Sequence, residues 1–318
     1  MRIGLIDIDY NGSFPNIALM KLSAWHKSIG DTVEWYMPFS DRYDIVYVAK
    51  VFSFSEDYKD VINADVVVYG GTGYQIQLID GVETWCKPTK KPFMEQLEPE
   101  QEHIYPDYSL YPSLTKDTAY GFLTRGCPRG CKFCHVAAKE GKRSYKVADL
   151  SEFWRGQRNI CLCDPNILAC KDWKPLMQQL IDSKAWIDLN QGVDARMMTE
   201  EKARMLGEMK IKEIHFAWDR YEDKESVLRG LELYAKHAAK KPHPHNCIVY
   251  TIVNFGTTFE QDLERIYTLR DLGYWAYVMI YDKEHCDRKY RDLARWVNNR
   301  VIFPVCNTYE EYLKYINN

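Results

Sequence analysis

The sequence predicts an α/β protein: a partial (β/α)6 barrel, meaning an open, curved parallel sheet of six βα units, preceded by a small doubly wound α/β unit. Three observations predict it. From residue 119 onward, short apolar runs alternate with segments of helical periodicity, and the pair recurs six times. Within the first 75 residues, four short apolar runs surround one amphipathic segment. Between them, Pro88, Pro92, Pro99, Pro106 and Pro112 punctuate a polar stretch with neither period. The organisation read from these is 1–75 as the small α/β unit, 76–118 as a Pro-rich connector, 119–285 as the core and 286–318 as a C-terminal extension.

Each element has a local reason. Residues 2–8 are an apolar strand. Ala18, Leu22, Trp25 and Ile29 then recur at helical spacing, and Gly30 ends the helix. Strands follow at 33–37, 45–48 and 66–69, the last running into Gly70-Gly71-Thr72-Gly73. In the core, the predicted strands are 119–124, 159–163, 186–189, 213–218, 247–253 and 274–280. The predicted helices are 148–157, 172–184, 199–209, 222–239, 258–272 and 288–298. Asp149 with Glu152, and Thr258 with Gln261, have the spacing of N-terminal capping boxes. Six such units imply a parallel sheet with helices outside, two short of a closed eight-stranded barrel. A last strand at 301–305 and a helix at 308–316 complete the prediction.

Composition bounds the function. With 318 residues, 46% hydrophobic and 27% charged, the chain can bury a sizeable core. A net charge of −3 argues against a strongly basic nucleic-acid binder. No apolar run approaches the length that crosses a bilayer, and the start carries no signal-peptide pattern. Of ten cysteines, three crowd together at Cys127, Cys131 and Cys134. Crowding at metal-ligand spacing predicts a metal site in a reducing cytoplasm. The other seven cysteines read as small core residues, although Cys161, Cys163 and Cys170 lie close enough in sequence to suggest a second cluster. The tract from His237 to His245 reads as a solvated loop.

The chemistry-bearing run is Gly126-Cys127-Pro128-Arg129-Gly130-Cys131-Lys132-Phe133-Cys134-His135, with the spacing Cys-x3-Cys-x2-Cys. Three clustered thiolates can hold three irons of a cubane and leave the fourth open. A structural zinc site would want a fourth ligand. His135 is the neighbour on offer, and adjacent residues such as Cys134 and His135 rarely both reach one tetrahedral ion.

This motif, placed after the first strand of a six-fold βα series, resembles that of the radical S-adenosylmethionine (SAM) enzymes. The resemblance covers roughly residues 119–285. It implies a partial barrel and a [4Fe–4S] cluster on Cys127, Cys131 and Cys134. It also implies S-adenosylmethionine as cofactor at the open iron, cleaved reductively to a radical that abstracts hydrogen from a substrate. A protein electron donor such as flavodoxin or ferredoxin is expected. By the same resemblance, the Phe133 backbone lies near the adenine. Asp164 and Asn166 stand where many members carry a Gly-Gly-Glu for the SAM ammonium, which this chain lacks. Gln191 is assigned to the ribose or the substrate and Arg196 to the SAM carboxylate. Asn254 and Gly256 are similar to the adenine-contacting turn, while Asp219 and the segment 280–283 are further strand tips. Each of these residue types also suits an ordinary cap or turn, so both readings stay open.

The first 75 residues resemble a degenerate cobalamin-binding domain. The histidine that such a domain places on cobalt is missing, because the loop after the first strand reads Asp9-Tyr10-Asn11-Gly12-Ser13. No cobalamin is therefore expected. The alternative to an enzyme is a non-catalytic iron–sulfur sensor or scaffold with the same fold. Methylthio transfer to tRNA needs an N-terminal three-cysteine domain and a basic appendage; Cys86 alone cannot supply the first. The 23 tyrosines and 9 tryptophans suit a small-molecule or nucleotide-like substrate, or simply fill the core.

Overall fold

The computed structural model describes residues 1–80 and 82–317. The protein is a mixed α/β chain with two parallel sheets of five and six strands. It divides into two compact units, residues 1–121 with 148–158, and 122–147 with 159–318.

The first unit is built on β1 (Arg2–Asp7), α1 (Ile17–Ser28), β2 (Thr32–Trp35), β3 (Tyr43–Ala49) and β4 (Ala64–Gly70). A hairpin of β5 (Ile76–Ile79) and β6 (Val82–Trp85) follows, then β7 (Phe93–Met94), the short helices α2 (Pro99–Glu102) and α3 (Pro112–Thr115), and β8 (Thr118–Gly121). Its sheet is parallel, in the order β2-β1-β3-β4-β7. Alternation along β1 sends Ile3 and Leu5 to the face packed by Leu19 and Leu22 of α1, while Ile6 joins Val46, Val48 and Tyr74 on the other. Asn16 caps α1 by accepting from the Leu19 N–H.

Three expectations for this unit change. The sheet is not doubly wound by helices: the crossover from β3 to β4, residues 50–63, has no helix, and Tyr58, Ile62 and the turn at Tyr74 cover that face instead. That crossover has no 3.6-residue apolar period to support a helix. The connector is also less passive than its composition suggests, because Phe93 and Met94 pair with Tyr69 and Gly70. Residues 148–157, expected as a helix, make a single 3-10 turn, Leu150–Glu152, with the capping box of Asp149 and Glu152 formed. Gly156, at φ 97°, then turns the chain away.

The second unit opens with a two-residue antiparallel ribbon, β9 (Thr124–Arg125) and β10 (Tyr145–Lys146), which closes a loop containing α4 (Val136–Glu140). Thereafter β11 (Asn159–Leu162), α5 (Trp173–Ser183), β12 (Trp186–Val193), α6 (Glu200–Glu208), β13 (Lys210–Ala217), α7 (Lys224–His237), β14 (Cys247–Val253), α8 (Phe259–Asp271) and β15 (Trp275–Ile280) alternate strictly. The sheet order is β15-β14-β13-β12-β11-β8. The pairings from β11 to β15 are all parallel. Helical spacing brings Leu176, Met177, Leu180 and Ile181 of α5 to the interior. Burial of each such side chain contributes about 1.5–3 kcal/mol. The Thr258–Gln261 capping box starts α8 as predicted. After α9 (Arg288–Val297), residues 301–305 form turns rather than a strand. The Phe303 and Cys306 N–H groups bond back to Asn299 and Ile302, and so are unavailable to a ladder. Helix α10 (Tyr309–Asn317) ends the described chain. Among the described residues, no helix is long and apolar enough to cross a membrane.

Candidate functional site

The cysteine loop leaves β9 and is tied at both ends by one side chain. Glu140 accepts from the Gly126 N–H at 2.9 Å and from Arg125 Nη1 at 3.0 Å. The Cys127 N–H donates to the Gly141 carbonyl at 3.3 Å, so the loop returns to its own start. Gly126 is obligatory here: its φ is +75°, and a Cβ would lie 2.2 Å from the Arg143 carbonyl oxygen. Within the loop, the Cys134 N–H donates to the Cys131 carbonyl at 3.0 Å. Cys127, Cys131 and Cys134 are all free and half-buried. Burial pushes the Cys131 and Cys134 thiols up, and the negative charge of neighbouring loop thiols adds to it. Among the described residues, no three His, Cys, Asp or Glu side chains converge on a point that could hold a single metal ion.

The predicted strand-end residues play distinct parts around this loop. Asp164, just beyond β11, is fully engaged with the chain's own backbone. It accepts from the Leu123 N–H at 2.8 Å, the Thr124 N–H at 2.7 Å and the Thr124 hydroxyl at 2.5 Å. The expected strand 119–124 is therefore broken after Gly121: the Leu123 and Thr124 N–H groups serve a carboxylate, and Thr124 pairs only in the short ribbon β9. Asn166 donates its Nδ2 to Cys127 Sγ at 3.5 Å, while its buried Oδ1 has no partner among the described residues. Gln191 is exposed and lies inside β12, because pairing with β13 resumes at Val193 opposite Phe216. Arg196 meets a carboxylate already in place. Its Nε and Nη2 donate to Asp194 at 2.7 and 3.2 Å, and Nη1 donates to Asp223 at 2.5 Å.

Asp194 is the residue the sequence reading missed. It also accepts from Nε of Arg129 at 2.6 Å, and Arg129 lies between the first two cysteines. Burial alone would push the Asp194 carboxyl up. Hydrogen bonds and charge from Arg196 and Arg129 outweigh it and hold the group below the usual carboxylate range. The loop is thus docked to the end of β12 through an Arg129–Asp194–Arg196–Asp223 chain. The signal was present as Asp194 two residues before Arg196, but nothing local pointed it at Arg129.

On the other side, Phe133 stands edge-on to Phe255 with ring centres 5.3 Å apart, and Phe255 packs on Tyr281 at 4.7 Å. Asn254, at φ +62°, donates from Nδ2 to the Tyr281 carbonyl at 3.1 Å and from N–H to Asp262 at 3.2 Å. A Cβ on Gly256 would meet nothing within 4 Å, so its φ of +67° is what requires glycine there. Cys127, Cys131, Cys134, Phe133, Asp164, Asn166, Arg196 and Asn254 are therefore linked to one loop system by named contacts, whereas Gly256 and Gln191 are not.

Three carboxyls of this unit titrate high. Burial pushes Asp164 up to about 7, and Asp188 and Asp219 up to about 6. In the unfolded chain a carboxyl of this kind titrates near about 3.9. The native state therefore binds the extra protons, and its stability rises as pH falls from about 8 to about 5 and is lost again as pH rises through the folded values. Urea midpoints should follow that direction. Asp188→Asn should flatten the slope, and a wild-type midpoint that is higher at the alkaline end would contradict the assignment.

No family model matches the chain, and no curated protein is similar to it.

Proposed function

We propose that the protein is a radical SAM enzyme, with the six-stranded sheet and its helices as a partial (β/α)6 barrel and the cysteine loop as its cluster site. The observation that carries this reading is the Cys127-x3-Cys131-x2-Cys134 loop following the first strand of a six-stranded sheet with βα connections. The donor set fits a cubane better than one ion. Each thiolate of a cubane takes a different iron, so the three need not converge on a point. The amide of Asn166 beside Cys127 Sγ is the sort of donor that tunes a cluster sulfur. When bound, the cluster and SAM supply one-electron cleavage of the sulfonium and a hydrogen-abstracting radical.

The chain's own residues do the rest. Cys127, Cys131 and Cys134 hold the cluster. Arg129 anchors the loop to Asp194, and Asp164 fixes the backbone that leads into it. The Phe133–Phe255–Tyr281 wall excludes water from the neighbourhood of the loop. Arg196, held by Asp194, presents its remaining donors to the SAM carboxylate, and Asn254 and Gly256 border the adenine. A small-molecule or nucleotide-like substrate and a flavodoxin- or ferredoxin-type donor complete the system. Protein reconstituted with iron and sulfide under anaerobic conditions, then given SAM and dithionite, should release 5′-deoxyadenosine. A fully loaded cluster that releases none overturns the enzyme reading.

One observation favours a second reading, a non-catalytic iron–sulfur sensor or scaffold. The strand end that lacks Gly-Gly-Glu carries Asp164, whose carboxylate is already bound to backbone N–H groups. Calorimetry separates the two: an enzyme binds SAM to the loaded cluster and a scaffold does not.

A further inference from the structure

Asn166 is enclosed beside the cysteine loop, with 2% of its surface exposed. Its backbone is fixed from two directions. The hydroxyl of Ser144, a buried residue just before β10, donates to the Asn166 carbonyl at 3.0 Å, and the Ala169 N–H donates to the same oxygen at 3.2 Å. Held in this way, the side-chain amide donates from Nδ2 to Cys127 Sγ at 3.5 Å, the length of a hydrogen bond to sulfur. Oδ1 is buried and has no partner among the described residues. Neither end of the amide faces solvent. The residue that the resemblance assigned to the SAM ammonium is thus aimed at a cysteine sulfur instead.

The loop sulfurs differ in what supports them. Cys134 has a main-chain donor, the Val136 N–H, which no ordinary substitution removes. Cys127 has a side-chain donor, which one substitution does. The effect of such a donor has a fixed sign. One electron taken from a protein donor adds one negative charge to a cluster and its thiolates. An N–H group aimed at a thiolate stabilises the more negative state more, and so raises the reduction potential. Enclosure strengthens the effect, because little water competes for the sulfur.

We propose that Asn166 raises the reduction potential of the cluster through Cys127 Sγ, bringing it toward the reach of a flavodoxin- or ferredoxin-type donor. This rests on the cluster reading above, and the experiment separates the two. The reconstituted full chain, without SAM, is titrated with dithionite in the presence of redox mediators, and the reduced cluster is counted by electron paramagnetic resonance. Iron and sulfide analysis confirms loading. At the potential where half of the wild-type cluster is reduced, Asn166→Leu should show a reduced-to-oxidised ratio about five-fold lower, the worth of about one hydrogen bond. Leucine fills a similar volume, so the loss reads the donor rather than entry of water. Asn166→Asp keeps the shape, replaces the donor by oxygen and should lower the ratio at least as far. Asn166→Leu decides when it loads, and Asn166→Asp decides when it does not. An unchanged or raised midpoint in the deciding variant overturns the proposal. Failure of both variants to hold a cluster also overturns it, because Asn166 would then serve assembly rather than potential. Wild-type protein that takes up no cluster overturns both this inference and the reading beneath it, whereas a loaded wild type whose variants keep its midpoint overturns this inference alone.

Discussion

Arg265→Ala should destabilise the second unit by about 3–5 kcal/mol, enough to unfold much of the population of a marginal domain. Arg265 and Asp262 are both 0% exposed and lie three residues apart on α8. The guanidinium donates to Asp262 at 2.5 Å, to the Trp218 carbonyl at 2.5 Å and to the Ile252 carbonyl at 2.7 Å. It thereby stitches α8 to the ends of β13 and β14. Removing it strands a buried carboxylate and two buried carbonyls, and the first of these is the larger loss. A double replacement, Arg265→Met with Asp262→Leu, should recover part of the stability, because no charge is left unpaired. Urea denaturation followed by tryptophan fluorescence reads both values. If the double variant is no more stable than Arg265→Ala, the cost does not come from the uncompensated charge. Asp262 also holds the Asn254 N–H, so the single variant should loosen the Asn254–Gly256 turn as well.

Asp164→Ala should cost about 2–4 kcal/mol, because two buried backbone N–H groups and a buried hydroxyl lose their acceptor while the expense of burying a carboxylate is relieved. Asp164→Asn keeps one carbonyl oxygen and should cost roughly half as much. The effect should reach the site, since Leu123 and Thr124 lead into β9 and the cysteine loop. Iron and sulfide content after reconstitution should therefore fall in Asp164→Ala at temperatures where circular dichroism still shows the native content of helix and strand. Wild-type loading in a folded Asp164→Ala variant would show that the carboxylate does not position the loop. Asp164 thus acts on the loop as a positioning residue, whether or not its neighbourhood also receives SAM.

Local signals located most elements of the second unit. The strands at 159–162, 247–253 and 275–280 and the helices at 173–183, 200–208 and 259–271 fall where periodicity and caps put them. The misplacements have a common cause. Residues 122–124 have strand-forming side chains, but the Leu123 and Thr124 N–H groups are claimed by Asp164 from across the chain. Residues 190–192 lie beyond the predicted strand 186–189, yet pairing with β13 resumes at Val193 opposite Phe216, so β12 runs on across an irregularity. Residues 301–305 are apolar enough for a strand, but their N–H groups bond back along the chain. Propensity reports what a segment can do alone; a ladder also needs a neighbour with unused donors and acceptors.

The spacing of Cys127, Cys131 and Cys134, the glycine that lets the chain enter their loop and the alternation that builds a parallel sheet were all written in the order of the residues, because each depends on neighbours a few positions away. The docking of Arg129 on Asp194, the pin from Asp164 to Leu123 and Thr124 and the buried pairing of Arg265 with carbonyls at the ends of β13 and β14 exist only in three dimensions. They join groups from 13 to 65 residues apart, and a one-dimensional period carries no information about which distant carboxylate will meet which distant donor.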